Sequence, residues 1–183
     1  MILALIGYRA TGKTTLAKLL AQRLDWEWID ADVEIERRAG KTIACIFAED
    51  GEPAFRDLEV QVIADLCRSK NLVLAAGGGA PMRVENRQAM RQSGKVVWLT
   101  ARPETILKRM SADATTAERR PSLTGQDPLE EIVQLLDQRE PIYRQTAHLI
   151  VDTENRSPEE LAAEILDWIS HHGGMEVTDK SNQ

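Results

Sequence analysis

The sequence predicts an α/β fold: one domain built on a parallel sheet, with helices covering both faces. Three observations carry that expectation. Short apolar runs of strand length alternate along the chain with longer stretches whose apolar residues recur every three or four positions. Strands that alternate with helices in this way form parallel sheets buried on both sides. The chain's 183 residues and 43% hydrophobic content suffice for one sizeable core and make a second folded domain unexpected.

In chain order, the first run, 2–6, is apolar throughout and reads as a buried strand. Residues 14–24 follow with helical spacing, and a shorter strand candidate lies at 28–29. A long helical pattern covers 52–69, and the apolar run 72–75 is the next strand. Helix 84–92, strand 96–99 and helix 103–110 continue the alternation, then helix 129–139, strand 149–151 and helix 158–172. Several of these helices open on Pro, Ser or Thr, the residues that suit a first turn. Two segments break the rhythm. Residues 111–125 are polar and contain Glu118-Arg119-Arg120-Pro121, so they read as a mobile loop between helices. Residues 173–183 have little to bury and read as a flexible tail.

A net charge of −6 argues against broad attraction to nucleic acid or anionic membranes. No stretch approaches the roughly 18 apolar residues of a membrane helix, and Met1 leads into the first strand without a cationic leader, so the expectation is a cytoplasmic protein. Cys45 and Cys67 are too few for a disulfide framework and read as buried or half-buried thiols. His148, His171 and His172 lack partners at metal-ligand spacing and read as structural. The four tryptophans fall on apolar positions and read as packing.

The strongest chemical signal is Gly7-Tyr8-Arg9-Ala10-Thr11-Gly12-Lys13-Thr14, which fits GxxxxGK followed by Ser or Thr without a mismatch. It follows an apolar strand and opens an amphipathic helix, the context its mechanism requires. Gly7 and Gly12 let successive N–H groups turn inward on a phosphate at the positive end of a helix. Ala10, Thr11, Gly12 and Thr15 would complete the cradle. Lys13 supplies a point charge for the β and γ phosphates, and the Thr14 hydroxyl can ligate Mg²⁺. Kinases, GTPases and ATPases all use such loops, so the motif names a nucleotide site and not yet a reaction.

Beyond the first helix, Asp30-Ala31-Asp32 ends the short strand. Side chains two apart on a strand share a face, so both carboxylates are expected to look toward the phosphates, one holding Mg²⁺ through water and the other receiving a substrate hydroxyl. The competing reading makes Asp32 the cap of a helix running toward Arg38. Arg56 and Glu59 lie three apart on one helical face, so the glutamate can aim the guanidinium at a bound anion; an ordinary surface ion pair is the alternative. Gly77-Gly78-Gly79 ends another buried strand, as expected where a ligand must approach the backbone, or simply where the chain turns tightly. No Walker B aspartate ends this strand, which leaves Asp30 to support the metal.

In order and spacing, the phosphate loop, Asp30-Ala31-Asp32, Phe55-Arg56-Asp57-Leu58-Glu59 and Gly77-Gly78-Gly79-Ala80 together resemble the shikimate kinase family. The likeness continues through Arg120-Pro121-Ser122-Leu123, Arg139-Glu140-Pro141-Ile142-Tyr143-Arg144 and Val151-Asp152-Thr153, and so covers residues 2 to about 168. It implies a P-loop NTPase-type three-layer α/β/α fold with a five-stranded sheet in the order 2-3-1-4-5. Residues 1–172 would form one nucleoside monophosphate kinase-like domain with a mobile lid at about 111–125. The implied reaction moves the γ-phosphoryl of ATP, with Mg²⁺, to the 3-hydroxyl of shikimate in aromatic amino-acid biosynthesis.

By the same resemblance, Asp32 binds the substrate hydroxyls and aligns the attacking oxygen. Arg56 and Arg144 clamp the carboxylate, and Gly78, flanked by Gly77 and Gly79, gives a backbone N–H. Arg120 closes over the phosphates from the lid, and Arg156 borders the adenine. Phe47 and Phe55 wall the acceptor pocket. The implied partners are ATP and shikimate, with no nucleic acid or membrane, and the chain is expected to be a monomer. It departs from the family pattern at Ala10, where many members carry glycine, and at Ser122, where leucine is frequent.

Overall fold

A computed structural model describes residues 1–112 and 127–172. Five parallel strands form one sheet in the order β2-β3-β1-β4-β5: β1 (Ile2–Ile6), β2 (Glu27–Asp30), β3 (Leu72–Ala75), β4 (Gly94–Thr100) and β5 (Leu149–Asp152). The expected order and the three-layer architecture are both met. Of the expected lid, residues 111 and 112 are helical; the rest, with Arg120, and the tail lie outside the described residues.

Alternation along the central strands divides the core in two. Ile2, Ala4 and Ile6 of β1 pack with Leu72, Leu74, Val96 and Trp98 on one face, while Leu3 and Leu5 pack with Val73, Ala75, Val97 and Leu99 on the other. The second face is covered by α1 (Lys13–Leu24) and α8 (Pro158–His172) through Leu16, Leu20, Ile165 and Ile169. The first face carries α2 (Ala31–Ala39), α3 (Ile43–Glu49), α4 (Gly51–Leu66) and α5 (Val84–Ser93). A third cluster, Tyr8 with Ile106, Ile132 and Leu136, packs α6 (Pro103–Ala112) against α7 (Pro128–Thr146) beside the loop that follows β1.

Three elements differ from the sequence expectation. Asp32 is not on a strand: β2 stops at Asp30, whose carboxylate caps α2 by accepting from the Asp32 N–H at 3.0 Å, so Asp32 stands in the first turn of the helix. The helix starts there because an aspartate cap outweighs two more residues of edge strand. Helix α3 was not foreseen, being only Ile43–Glu49, too short to show a period; Thr42 caps it by accepting from Cys45 N–H. Helix α7 continues past Arg139, through Pro141, to Thr146. The proline removes one helical N–H, and burial of Tyr143 and Thr146 beyond it holds the last turns in place. Among the thiols, Cys67 is buried, with burial pushing it up to about 11, whereas Cys45 is exposed, contrary to expectation.

Candidate active site

Every strand delivers its carboxyl end to the same rim, and the candidate residues gather there, where ligands bind in open parallel sheets. At the centre, Gly7 leaves β1 with φ 139°, and a Cβ built on it would stand 2.4 Å from the Leu99 carbonyl oxygen, so only glycine lets the loop pass β4. Ala10 and Gly12 also take positive φ. Helix α1 begins at Gly12 without a side-chain cap or an acidic residue in its first turn. Its first N–H groups therefore donate to no side-chain cap, and its positive end suits an anion. The Lys13 ammonium folds back on the loop, donating to the carbonyls of Gly7 at 3.0 Å and Tyr8 at 2.7 Å.

A cleft of about 510 Å³ opens over this loop. Its lining includes Ala10, Thr11, Gly12, Lys13, Thr14 and Thr15, together with Arg156, so the described residues expected to hold nucleotide share one cavity. Arg109 lines it too, and sequence reading missed it. Its guanidinium donates to the Thr153 hydroxyl and carbonyl, both at 3.0 Å, tying α6 to the loop after β5. A lone arginine near the end of an amphipathic helix gives no signal of that kind.

Beside the cleft, the Thr14 hydroxyl donates to Asp30 Oδ2 at 2.8 Å. Asp30 thus touches the phosphate loop with one oxygen and orients Asp32 with the other. Two adjacent hard oxygen donors suit Mg²⁺, which binds through one or two protein oxygens and fills its remaining positions with phosphate and water. No cluster of three or more His, Cys, Asp or Glu suited to a metal occurs among the described residues.

The acceptor side is built on the glycine run. A Cβ on Gly77 would stand 2.7 Å from Asp32 Oδ1 and 3.3 Å from Glu59 Oε1; one on Gly79 would stand 2.5 Å from Arg56 Nη1. The missing side chains are the space these groups occupy. Arg56 donates to the fully buried Glu59 at 2.9 Å and to Glu52. Burial works against the guanidinium's charge, but the charge and hydrogen bond of Glu59, with Glu52, outweigh it and raise its pKa. The sequence-predicted Arg56–Glu59 unit is therefore formed. Phe47 and Phe55 pack with ring centroids 4.8 Å apart, and the Arg56 guanidinium lies 5.1 Å from the Phe55 centroid.

Arg144 does not join this group. It is exposed, and its guanidinium lies over the Trp98 ring at 5.4 Å. The guanidinium against the glycine run belongs to Arg139: its Nη1 is 3.7 Å from a Cβ built on Gly78, and it stacks on Tyr8 at 5.6 Å. The reason is helical phase. Positions five apart on an unbroken helix are turned by roughly 140°, so α7 can aim only one of the two inward. Tyr143, fully buried, donates from its hydroxyl to the Gly78 carbonyl at 2.5 Å and fixes that peptide.

The geometry joins the loop before α1 to a glycine run against which two arginines and an aspartate lie. Comparison with known proteins agrees. The family model described as shikimate kinase matches residues 9–170. A shikimate kinase of Rhodopirellula baltica is 46% identical over 164 residues, covering 90% of this chain and 88% of that protein. One from Symbiobacterium thermophilum is 42% identical over 173 residues, 94% of this chain and 98% of its own. The solved structure of a shikimate kinase from Acinetobacter baumannii in complex with shikimate superposes with a TM-score of 0.87 at 38% identity, covering 95% of each chain.

Proposed function

The chain belongs to the shikimate kinase family, and from that premise we propose that it transfers the γ-phosphoryl of ATP to the 3-hydroxyl of shikimate, giving shikimate 3-phosphate and ADP. The observation that carries the reading is the juxtaposition at Gly78, whose added Cβ would meet Gly7 O at 3.4 Å, Arg9 N at 3.6 Å and Arg139 Nη1 at 3.7 Å. Phosphate loop and acceptor floor are in contact, as transfer between two bound molecules requires.

The loop from Ala10 to Thr15 holds the phosphates, and Lys13 moves from the carbonyls of Gly7 and Tyr8 to the β and γ oxygens. Thr14 and Asp30 would hold Mg²⁺, which when bound neutralises charge on the phosphate oxygens. Arg109 and Arg156 border the rest of the nucleotide. Arg56 and Arg139 grip the acid's carboxylate as paired forks, an assignment in which Arg139 replaces Arg144. Asp32, held by Asp30, receives the attacking hydroxyl's hydrogen bond and steers it toward the phosphate. Arg120 would add charge stabilisation from the segment outside the described residues. We read the protein as a monomeric cytoplasmic enzyme of aromatic biosynthesis; no helix among the described residues is long and apolar enough to cross a membrane.

Coupled measurement of ADP release tests the substrate. Release should depend on shikimate and stay near background with gluconate or other hydroxy acids. Equal release with and without shikimate would refute the assignment.

A further inference from the structure

Arg9 occupies a position of the phosphate loop where the motif asks for no particular side chain. Its backbone N is where the loop meets the glycine run, but its side chain turns to α7, with Nη2 3.7 Å from Glu131 Oε1. The Glu131 side chain is only 4% exposed, whereas Glu130 beside it faces solvent. A carboxylate is buried at cost unless charge and hydrogen bonding compensate, and both a guanidinium and the positive end of α7 are at hand.

Tyr8 extends the group: the guanidinium carbons of Arg9 and Arg139 lie 5.7 and 5.6 Å from its ring centroid, so both arginines stack on one ring. Glu131 and Arg139 stand about 12 Å apart along the axis of α7. One helix therefore anchors the phosphate loop near its start and delivers the acceptor's guanidinium two turns later.

We propose that Glu131 is a positioning residue for the transfer step: by holding Arg9 it fixes the phosphate loop relative to the acceptor pocket. This rests on the kinase reading above and assigns a role to a residue outside the phosphate loop, the glycine run and the paired arginines. A contact that sets spacing acts on turnover more than on the affinity for either substrate, since misplacement of reacting groups by about 1 Å can cost on the order of 100-fold in rate.

Glu131→Gln, Arg9→Gln and the double variant provide the test, with kcat and KM measured for both substrates and ADP affinity measured by calorimetry without acceptor. Each single variant should lose about 10- to 100-fold in kcat, with both KM values and ADP affinity within about threefold of wild type. The double variant should be no worse than the weaker single one, because both remove the same contact, and Glu131→Asp should recover part of kcat. Wild-type kcat in Glu131→Gln, or losses that multiply in the double variant, overturn the proposal. Should Glu131→Gln lower the melting temperature, Arg9→Gln decides alone, and wild-type kcat there overturns it equally. A wild-type enzyme that fails to use shikimate sinks the substrate reading separately; the same ratios are then read with whichever hydroxy acid does support ADP release.

Discussion

The nucleotide half and the acceptor half of this site are built from different materials. The first is mostly backbone: one continuous stretch from Gly7 to Thr15 runs from the end of β1 into the first turn of α1. The second is mostly side chains, drawn from α2, α4 and α7 onto a glycine run after β3. A backbone nest can bind phosphate whatever side chains its unspecified positions carry, although one of them, Arg9, also ties the loop to α7. A pocket of side chains is only as good as the space left for each, which is why Gly77 and Gly79 matter through the atoms they lack. Single substitutions should therefore damage acceptor and nucleotide functions separately.

The sharpest break is Asp32→Asn. Losing the carboxylate proposed to meet the attacking hydroxyl should lower kcat by roughly 10²- to 10⁴-fold while ADP affinity, measured by calorimetry, stays at the wild-type value. Comparable loss of nucleotide binding would mean that the two halves are not separable.

Next in size is a paired test on α7. Arg139→Lys should raise KM for shikimate by about 10- to 100-fold with little change in KM for ATP, since a point charge replaces a bidentate fork. Arg144→Lys, over Trp98, should stay within about threefold of wild type. The reverse ranking would restore Arg144 to the clamp.

That pair also marks where the sequence stops being legible. Whereas the sheet order followed only from the family resemblance, the helices on both faces and the phosphate loop were readable because each rests on local spacing, in apolar runs, three-to-four periodicity and a contiguous motif. The Arg56–Glu59 unit was readable for the same reason, lying within one helical turn. The choice between Arg139 and Arg144 depends on whether α7 continues through Pro141 and in what phase, which burial of Tyr143 and Thr146 decides from a distance. Asp32 was misplaced onto a strand because a local cap, the Asp30 carboxylate accepting from the Asp32 N–H at 3.0 Å, competes with the alternation of β2. Arg109 and Glu131 gave no signal, since their partners, Thr153 and Arg9, are far off in the chain.

A smaller effect is expected at Tyr143. Tyr143→Phe keeps the ring against Trp98, 5.6 Å away, but leaves the Gly78 carbonyl without the hydroxyl. Stability in urea should fall by roughly 1–3 kcal/mol, and KM for shikimate should rise more than KM for ATP, because the loosened peptide floors the acceptor side. Equal changes in both would make Tyr143 purely structural.

The smallest lies away from the site, on α2. Hydrogen bonds from Arg37 and Arg38 lower the Glu34 carboxyl from 4.5 to about 2. A depressed carboxyl stabilises the fold fully above its ordinary pKa, and the contribution is lost as pH falls from about 4.5 toward 2. Glu34→Gln should remove that part of the acid sensitivity, worth under about 1 kcal/mol for a surface pair, with kinetics at neutral pH unchanged. Denaturation series across that window would show it.

Transfer to shikimate requires that the acid's carboxylate sit between the guanidinium groups of Arg56 and Arg139 while its 3-hydroxyl faces the phosphate loop. A crystal structure of the protein with ADP and shikimate tests it most directly. Both arginines should meet the carboxylate, with the 3-hydroxyl beside Asp32 and pointing toward the cleft over Lys13. A carboxylate held by Arg144, or a hydroxyl turned away from that cleft, would contradict the account.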